Sequence, residues 1–233
     1  MPEIIYEDNH LLIAVKKPGQ LSQGDRTGDR SLLDELKDDV KARYHKPGEV
    51  YLGLVHRLDR PVGGLMAFAR TSKAASRLSE QLRAHDMRRE YLAVTDAGIA
   101  QTGEWHDWLC WDEERKRAVV AAPSSPKAQE AGLSFQTLGR KDGTALVWVR
   151  LQTGRKHQIR AQFANAGHPL LFDARYGQGE PGKDLALWGA ALCLRHPTRR
   201  EPMLFFSAPK GVAFAPYQDE IDRFFQNRRE EHA

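Results

Sequence analysis

Apolar and polar positions in this chain change in short bursts, and turn residues separate the bursts. Ile4–Tyr6 and Leu11–Val15 read as two strands joined across Glu7-Asp8-Asn9, and Lys17-Pro18-Gly19 breaks the pattern. Behind Ser31, an N-cap with Asp34 three residues on, Leu32, Leu33, Leu36 and Val40 fall at helical spacing until Pro47-Gly48. Tyr51–Leu54 and Leu65–Ala69 are apolar runs of strand length. Thr71 caps a helix that carries Ala74, Ala75, Leu78 and Leu82 on one face. Strands follow at Tyr91–Thr95, Trp105–Trp111, Ala118–Ala122 and Leu133–Thr137. Ala145–Leu151, rich in Val, Leu and Trp, predicts a central strand. Thr153 then caps a helix from about Arg155 to Ala166, ended by Gly167, with Ile159 and Phe163 on its buried side. Leu185–Leu194 and Met203–Ser207 are late strands. Tyr217–Asn227 is a C-terminal helix that frays into RREEHA. Many strands, few helices and no regular βαβα alternation predict an α+β fold with a mixed or antiparallel sheet.

Composition narrows the class. The 233 residues are 41% hydrophobic, which suits a globular chain able to bury a core. No apolar run approaches the roughly 20 residues that span a bilayer. The acidic, polar start MPEIIYEDNH does not resemble a secretory signal. Cys110 and Cys193 stand far apart with no CxxC pair, so a disulfide framework and a zinc module are disfavoured and a reducing cytoplasm is expected. The net charge of +4, from 35 Lys and Arg against 31 Asp and Glu, is mild. The distribution is more telling. Arg77, Arg83, Arg88 and Arg89 form one cluster, Arg150, Arg155, Lys156 and Arg160 a second, and Arg195, Arg199 and Arg200 a third, a pattern that suits a polyanion partner.

The common catalytic signatures GxxxxGK[ST], HExxH and GxSxG do not occur. His56-Arg57-Leu58-Asp59 differs from a kinase catalytic loop, because Leu58 separates Arg from Asp and no DFG follows. Three other segments carry candidate chemistry. In LVHRLDRPVGG, residues 54–64, a single carboxylate, Asp59, lies between Arg57 and Arg60 ahead of a tight turn. Cationic neighbours favour its ionised form, which suits a nucleophile or a proton acceptor, although the same spacing also fits a turn-capping carboxylate. In LQTGRKHQIRAQFANAGHP, residues 151–169, Arg155, Lys156 and His157 crowd a helix N-terminus, an anion-binding arrangement, and Arg160 lies one turn on. In RREYLAV, residues 88–94, Tyr91 stands beside cations and offers a stacking face.

Taken together, these segments resemble the RluA family of pseudouridine synthases. The family's HRLDR motif is His56-Arg57-Leu58-Asp59-Arg60, followed here by Pro61-Val62-Gly63-Gly64. Its TGR-x-HQIR motif runs from Thr153 to Arg160, then Gly167-His168-Pro169, Asp173 and Tyr176-Gly177. Its basic-x-Tyr-x-Ala segment is Arg89-Glu90-Tyr91-Leu92-Ala93, and Ile5-Tyr6-Glu7-Asp8 with Lys17-Pro18-Gly19 is similar to its opening strands. The match covers about residues 4–209, which implies a single catalytic domain over residues 1–233 with the C-terminal helix beyond. The resemblance implies the pseudouridine synthase fold: a mixed, mostly antiparallel, bent sheet with flanking helices and a central basic cleft. Asp59 matches the catalytic aspartate, Tyr91 the aromatic that stacks on the target base and Arg160 the arginine that pairs with the aspartate. Arg57 matches an arginine that occupies the space vacated by the flipped nucleotide. Arg60, Arg89, Arg155, Lys156 and His157 are the expected RNA contacts. No cofactor and no metal are implied.

The chain departs from the pattern at Val62-Gly63, where many members have Thr-Ser, and at Arg89 in place of Lys. Because the pattern starts at about residue 4, an S4-like RNA-binding module of the kind many relatives carry is not expected ahead of it. The expected activity is isomerisation of uridine in structured RNA, ribosomal or transfer, by a monomer. Recognition by the catalytic domain alone leans toward a compact stem-loop or transfer RNA. A uracil stacked in a helix must be flipped out before reaction, at a cost of a few kcal/mol. Three routes are open to Asp59: attack on C1′, attack on the pyrimidine ring, or removal of a sugar proton. An RNA-binding protein that keeps the fold without the activity is the alternative. Hydrolysis of the base–sugar bond is disfavoured, because hydrolytic glycosidases generally pair two carboxylates.

Overall fold

The computed structural model describes residues 1–231. In chain order the elements are β1 (Glu3–Glu7), β2 (Leu11–Lys16), α1 (Leu32–Arg43), β3 (Gly53–Leu54), β4 (Gly63–Ala69), α2 (Ser72–Arg83), β5 (Arg88–Asp96), β6 (Thr102–Asp112), β7 (Arg117–Val120), β8 (Gln129–Lys141), β9 (Thr144–Leu151), α3 (Gln158–Asn165), β10 (Leu187–Arg195), β11 (Pro202–Phe206) and α4 (Gln218–Glu230). The chain forms two compact units, one of Met1–Arg88 with Gly189–Ser207, the other of Arg89–Trp188 with the segment from Ala208 on.

In the first unit the strands run in the order β1-β2-β4-β10, with β3 on β4 and β11 on β10. β1–β2, β2–β4, β3–β4 and β10–β11 are antiparallel. β2 and β4 are buried along their whole length, so both read as continuous apolar runs rather than as alternating strands. α1 starts on a capping box. The Ser31 hydroxyl accepts from Asp34 N, and the Asp34 carboxylate accepts from Ser31 N. Thr71 caps α2 through Ala74 N, as its sequence position predicts. The strand expected at Tyr51–Leu54 is limited to Gly53–Leu54. At Gly64 the main chain has φ +126°, and a Cβ there would lie 2.3 Å from Gly189 N on β10. Only glycine meets both conditions, and the two backbones lie against each other at that point.

In the second unit the order is β5-β9-β8-β6-β7, and every pairing is antiparallel. β9 takes the central place its composition predicts, between β5 and β8. The register of β8 slips between Thr137 and Gly139, a bulge that adds twist. α3 packs Phe163 against Trp105 and Phe135, with ring centroids 4.8 and 5.9 Å away, and Ala161 against Leu109, Ala118 and Ala131. α4 is tied to the sheet by Arg228, which pairs with buried Glu90 at 3.1 Å and stacks on Trp148 at 4.4 Å. α4 continues to Glu230, past the Asn227 end expected from the sequence, and residues 232–233 of RREEHA lie outside the described residues.

Candidate functional site

In the first unit Asp59 sits half-buried in the loop between β3 and β4, immediately before the turn at Arg60-Pro61 that returns Val62 N to Asp59 O at 3.0 Å. Its neighbours are fixed on both sides. The Ser22 hydroxyl donates to Leu58 O at 2.7 Å and accepts from Leu58 N at 3.2 Å. Gly19 N donates to Arg60 O at 2.9 Å, and Arg60 Nε donates to Gly19 O at 3.0 Å. Arg60 is exposed and also pairs with Asp29 at 2.7 Å. That tie was not expected for an RNA-contacting arginine. Arg57 is exposed. His56 is buried, and its Nε2 accepts the Ala67 amide at 3.1 Å, so that nitrogen carries no proton. The motif histidine therefore braces the loop against β4.

Tyr91 and Arg160 belong to the second unit. Tyr91 lies in β5 opposite Val149 of β9 and is 6% exposed. Arg89, two residues earlier, extends over Gly154 and donates through Nη2 to Thr153 O at 3.3 Å. A Cβ on Gly154 would come within 2.5 Å of Arg89 Nη1, so the glycine leaves the guanidinium its berth.

The helix expected from Arg155 begins at Gln158 instead, and Thr153 does not cap it. His157 holds the N-cap position with φ +57° and makes no side-chain cap. The reason is Gln158. Its Oε1 accepts from Thr153 Oγ1 at 2.7 Å and from Arg155 N at 2.9 Å, and its Nε2 donates to Gly132 O at 2.9 Å. One amide side chain folds residues 153–157 into a compact loop and takes up the donor that a helix begun at 155 would have left open. The basic residues of that loop turn to different partners. Arg155 Nε donates to Glu130 O at 2.8 Å, Lys156 Nζ lies 3.2 Å above the Trp111 ring, and His157 Nδ1 lies 2.9 Å from the Tyr176 hydroxyl.

Arg160 is buried and bound to Asp173 by two parallel bonds, Nε to Oδ2 at 2.8 Å and Nη2 to Oδ1 at 2.7 Å. Asp173 Oδ1 also accepts from the amides of Arg175 and Tyr176 at 3.0 and 3.2 Å, and the Tyr176 ring lies 5.1 Å from the guanidinium. Gln158 thus braces the loop and Asp173 braces Arg160, although both stand within the motifs with no local feature that marks them for these contacts. A buried arginine requires a carboxylate, but nothing in the sequence singles out Asp173 for it, since the resemblance pairs Arg160 with Asp59. The run Gly177-Gln178-Gly179-Glu180-Pro181-Gly182 spells G-x-G-x-x-G, but it lies in a loop with no helix behind it and lacks the context of a dinucleotide site. Among the described residues no cluster of three His, Cys, Asp or Glu side chains suits a metal ion, and no helix is long and apolar enough to cross a membrane.

Residues 10–165 match the family model described as RNA pseudouridylate synthase. The chain is 28% identical to the ribosomal large subunit pseudouridine synthase C of Buchnera aphidicola subsp. Acyrthosiphon pisum, over 94% of this chain and 70% of that protein. It is 32% identical to the synthase C of Yersinia pestis, over 86% of this chain and 63% of that one. It is 30% identical to the ribosomal large subunit pseudouridine synthase D of Zymomonas mobilis, over 76% and 56%. The match thus spans between 56% and 70% of the length of these relatives. Among solved structures, human RNA pseudouridylate synthase domain containing 4 superposes with a TM-score of 0.75 at 22% identity, covering 94% of this chain and 93% of that one. Human RNA pseudouridylate synthase domain containing 1 gives 0.70 at 19% identity, covering 90% and 84%. These likenesses show the fold expected from the motifs.

Proposed function

This chain belongs to the RNA pseudouridylate synthase family, and from that membership we propose that it isomerises uridine to pseudouridine in ribosomal RNA, with Asp59 as the catalytic carboxylate. The observation that carries the reading is the family match over residues 10–165, a span that contains Asp59, Tyr91 and Arg160 in the family's order. The names of the relatives favour ribosomal RNA over the transfer RNA toward which the sequence leaned.

The reaction breaks N1–C1′ and forms C5–C1′. C5 loses a proton and N1 gains one, so the atoms balance without added water or oxidant. Asp59 is the motif carboxylate, and its attack on C1′, its attack on the ring and its removal of a sugar proton all begin from the ionised form. Tyr91 supplies the aromatic face for an extruded uracil. Arg160 is the cation that the family motif pairs with the aspartate, and Asp173 holds its guanidinium in one orientation. Arg57, Arg60, Arg89, Arg155, Lys156 and His157 are the proposed RNA contacts.

The test is tritium release from ribosomal RNA labelled at uridine C5. The native chain is expected to release tritium, and Asp59→Asn is expected to release none while binding RNA within about threefold of the native chain, because one uncharged substitution leaves the phosphate contacts in place. Substantial release by the Asn variant would overturn the assignment of Asp59. Binding without release by the native chain would identify a non-catalytic RNA-binding protein. Free uracil with abasic RNA would identify a hydrolase.

A further inference from the structure

Lys16 ends β2 with its side chain 0% exposed. A buried ammonium loses its hydration, and burial pushes this one down to about 7, with the charge of Asp59 acting to restore the protonated form and that of Arg60 opposing it. An ammonium has three protons to donate. Here three main-chain oxygens accept from it: Gln20 O at 2.7 Å, Lys17 O at 3.0 Å and Arg60 O at 3.0 Å. Two of these oxygens belong to the turn after β2, and the third belongs to the residue that follows Asp59. Ser22, from the same segment, holds both polar groups of Leu58, the residue that precedes Asp59. The stretch 16–22 therefore grips the main chain immediately before and immediately after the aspartate, and every bond of the grip lies within the first unit.

We propose that Lys16 and Ser22 are positioning residues for the reaction, fixing the main chain on either side of Asp59 so that its carboxylate is presented in one orientation. The inference rests on the reading of Asp59 as catalytic. Neither residue is proposed to touch RNA. Lys16 sets the Arg60 side through its buried Nζ, which donates to Arg60 O, and Ser22 sets the Leu58 side through a hydroxyl that both donates and accepts.

The test compares full-length Lys16→Met, Ser22→Ala and Asp59→Asn in single-turnover tritium release at saturating C5-labelled ribosomal RNA, with RNA affinity and thermal unfolding measured alongside. Met keeps the length of the lysine and removes its charge and donors. A displaced catalytic group costs on the order of ten- to a hundredfold in rate, and that loss is expected for folded Lys16→Met with affinity within about twofold of native. Ser22→Ala removes one neutral hydrogen-bonding group, and a loss of about threefold or more in rate at unchanged affinity is expected. A native rate in folded Lys16→Met overturns the proposal, as does a rate that falls only in step with affinity. If Lys16→Met does not fold, Ser22→Ala decides: a native rate overturns the proposal and a selective rate loss sustains it. A dead Asp59→Asn beside fully active Lys16 and Ser22 variants removes only the positioning role. An active Asp59→Asn removes the reading on which that role rests.

Discussion

Arg160 and Asp173 form a buried two-bond fork in which both nitrogens on one edge of the guanidinium meet the two carboxylate oxygens at 2.7 and 2.8 Å. Both side chains are essentially withdrawn from water, at 5% and 0% exposure. Such a pair adds little net stability over an apolar substitute, but removing one partner strands the other charge. Asp173→Ala is therefore expected to lower unfolding free energy by about 3–5 kcal/mol, read from urea denaturation. Arg160→Ala is expected to lose tritium release as well. A destabilisation below about 1 kcal/mol for Asp173→Ala would show that the arginine finds another partner or water.

The Tyr91 assignment separates face from hydroxyl. If the ring stacks on a base, Tyr91→Phe keeps RNA binding within about twofold, while Tyr91→Ala weakens it by about 1–3 kcal/mol. Filter binding with ribosomal RNA fragments measures both. Equal losses in the two variants would assign the contribution to the hydroxyl.

Gly154 gives a selective test of Arg89. A methyl group there meets the far end of a flexible side chain rather than backbone, so Gly154→Ala displaces the guanidinium with little strain on the fold. The expected outcome is a thermal midpoint close to native, with RNA affinity and its salt dependence reduced to those of Arg89→Ala. Native affinity in Gly154→Ala would remove Arg89 from the RNA contacts.

Acid stability is expected to depend on Asp8. Burial works to raise its carboxyl, but the amides of His10 and Leu11, the Tyr6 hydroxyl and the His196 ring outweigh burial and hold it well below the usual carboxylate range. Its folded value is depressed, so its contribution is complete above the unfolded value of about 3.9 and is lost as pH falls from there through the folded value. Urea midpoints measured between pH 6 and pH 2 should fall more steeply for the native chain than for Asp8→Asn. Parallel slopes would show that other carboxylates govern acid unfolding.

The elements that were legible in the sequence are those whose cause is local. The Ser31–Asp34 box, the Thr71 cap and the apolar runs of β2, β4 and β9 each need only neighbouring residues, and each lies where the sequence predicts it. The start of α3 does not, because Thr153 looks like a cap until Gln158 takes its hydroxyl and Gly132, 26 residues back in the chain, supplies the acceptor for the amide. The order of the motifs pointed to Asp59, Tyr91 and Arg160, but their supports depend on long-range contacts. Leu58 meets Ser22 across 36 positions, and Arg60 O meets Lys16 across 44. Charge patterning likewise could not foresee that Arg60 would pair with Asp29, or that Lys156 would settle over Trp111.

The contact between Gly64 and Gly189 sets a limit on how the enzyme can be remodelled. Residue 64 lies five positions after Asp59, at the point where β4 takes over from the loop. A library at the exposed positions Arg57 and Arg60 varies side chains on the surface. Extending it to residue 64 would force two backbones apart, and the strand end that follows the loop would move with them.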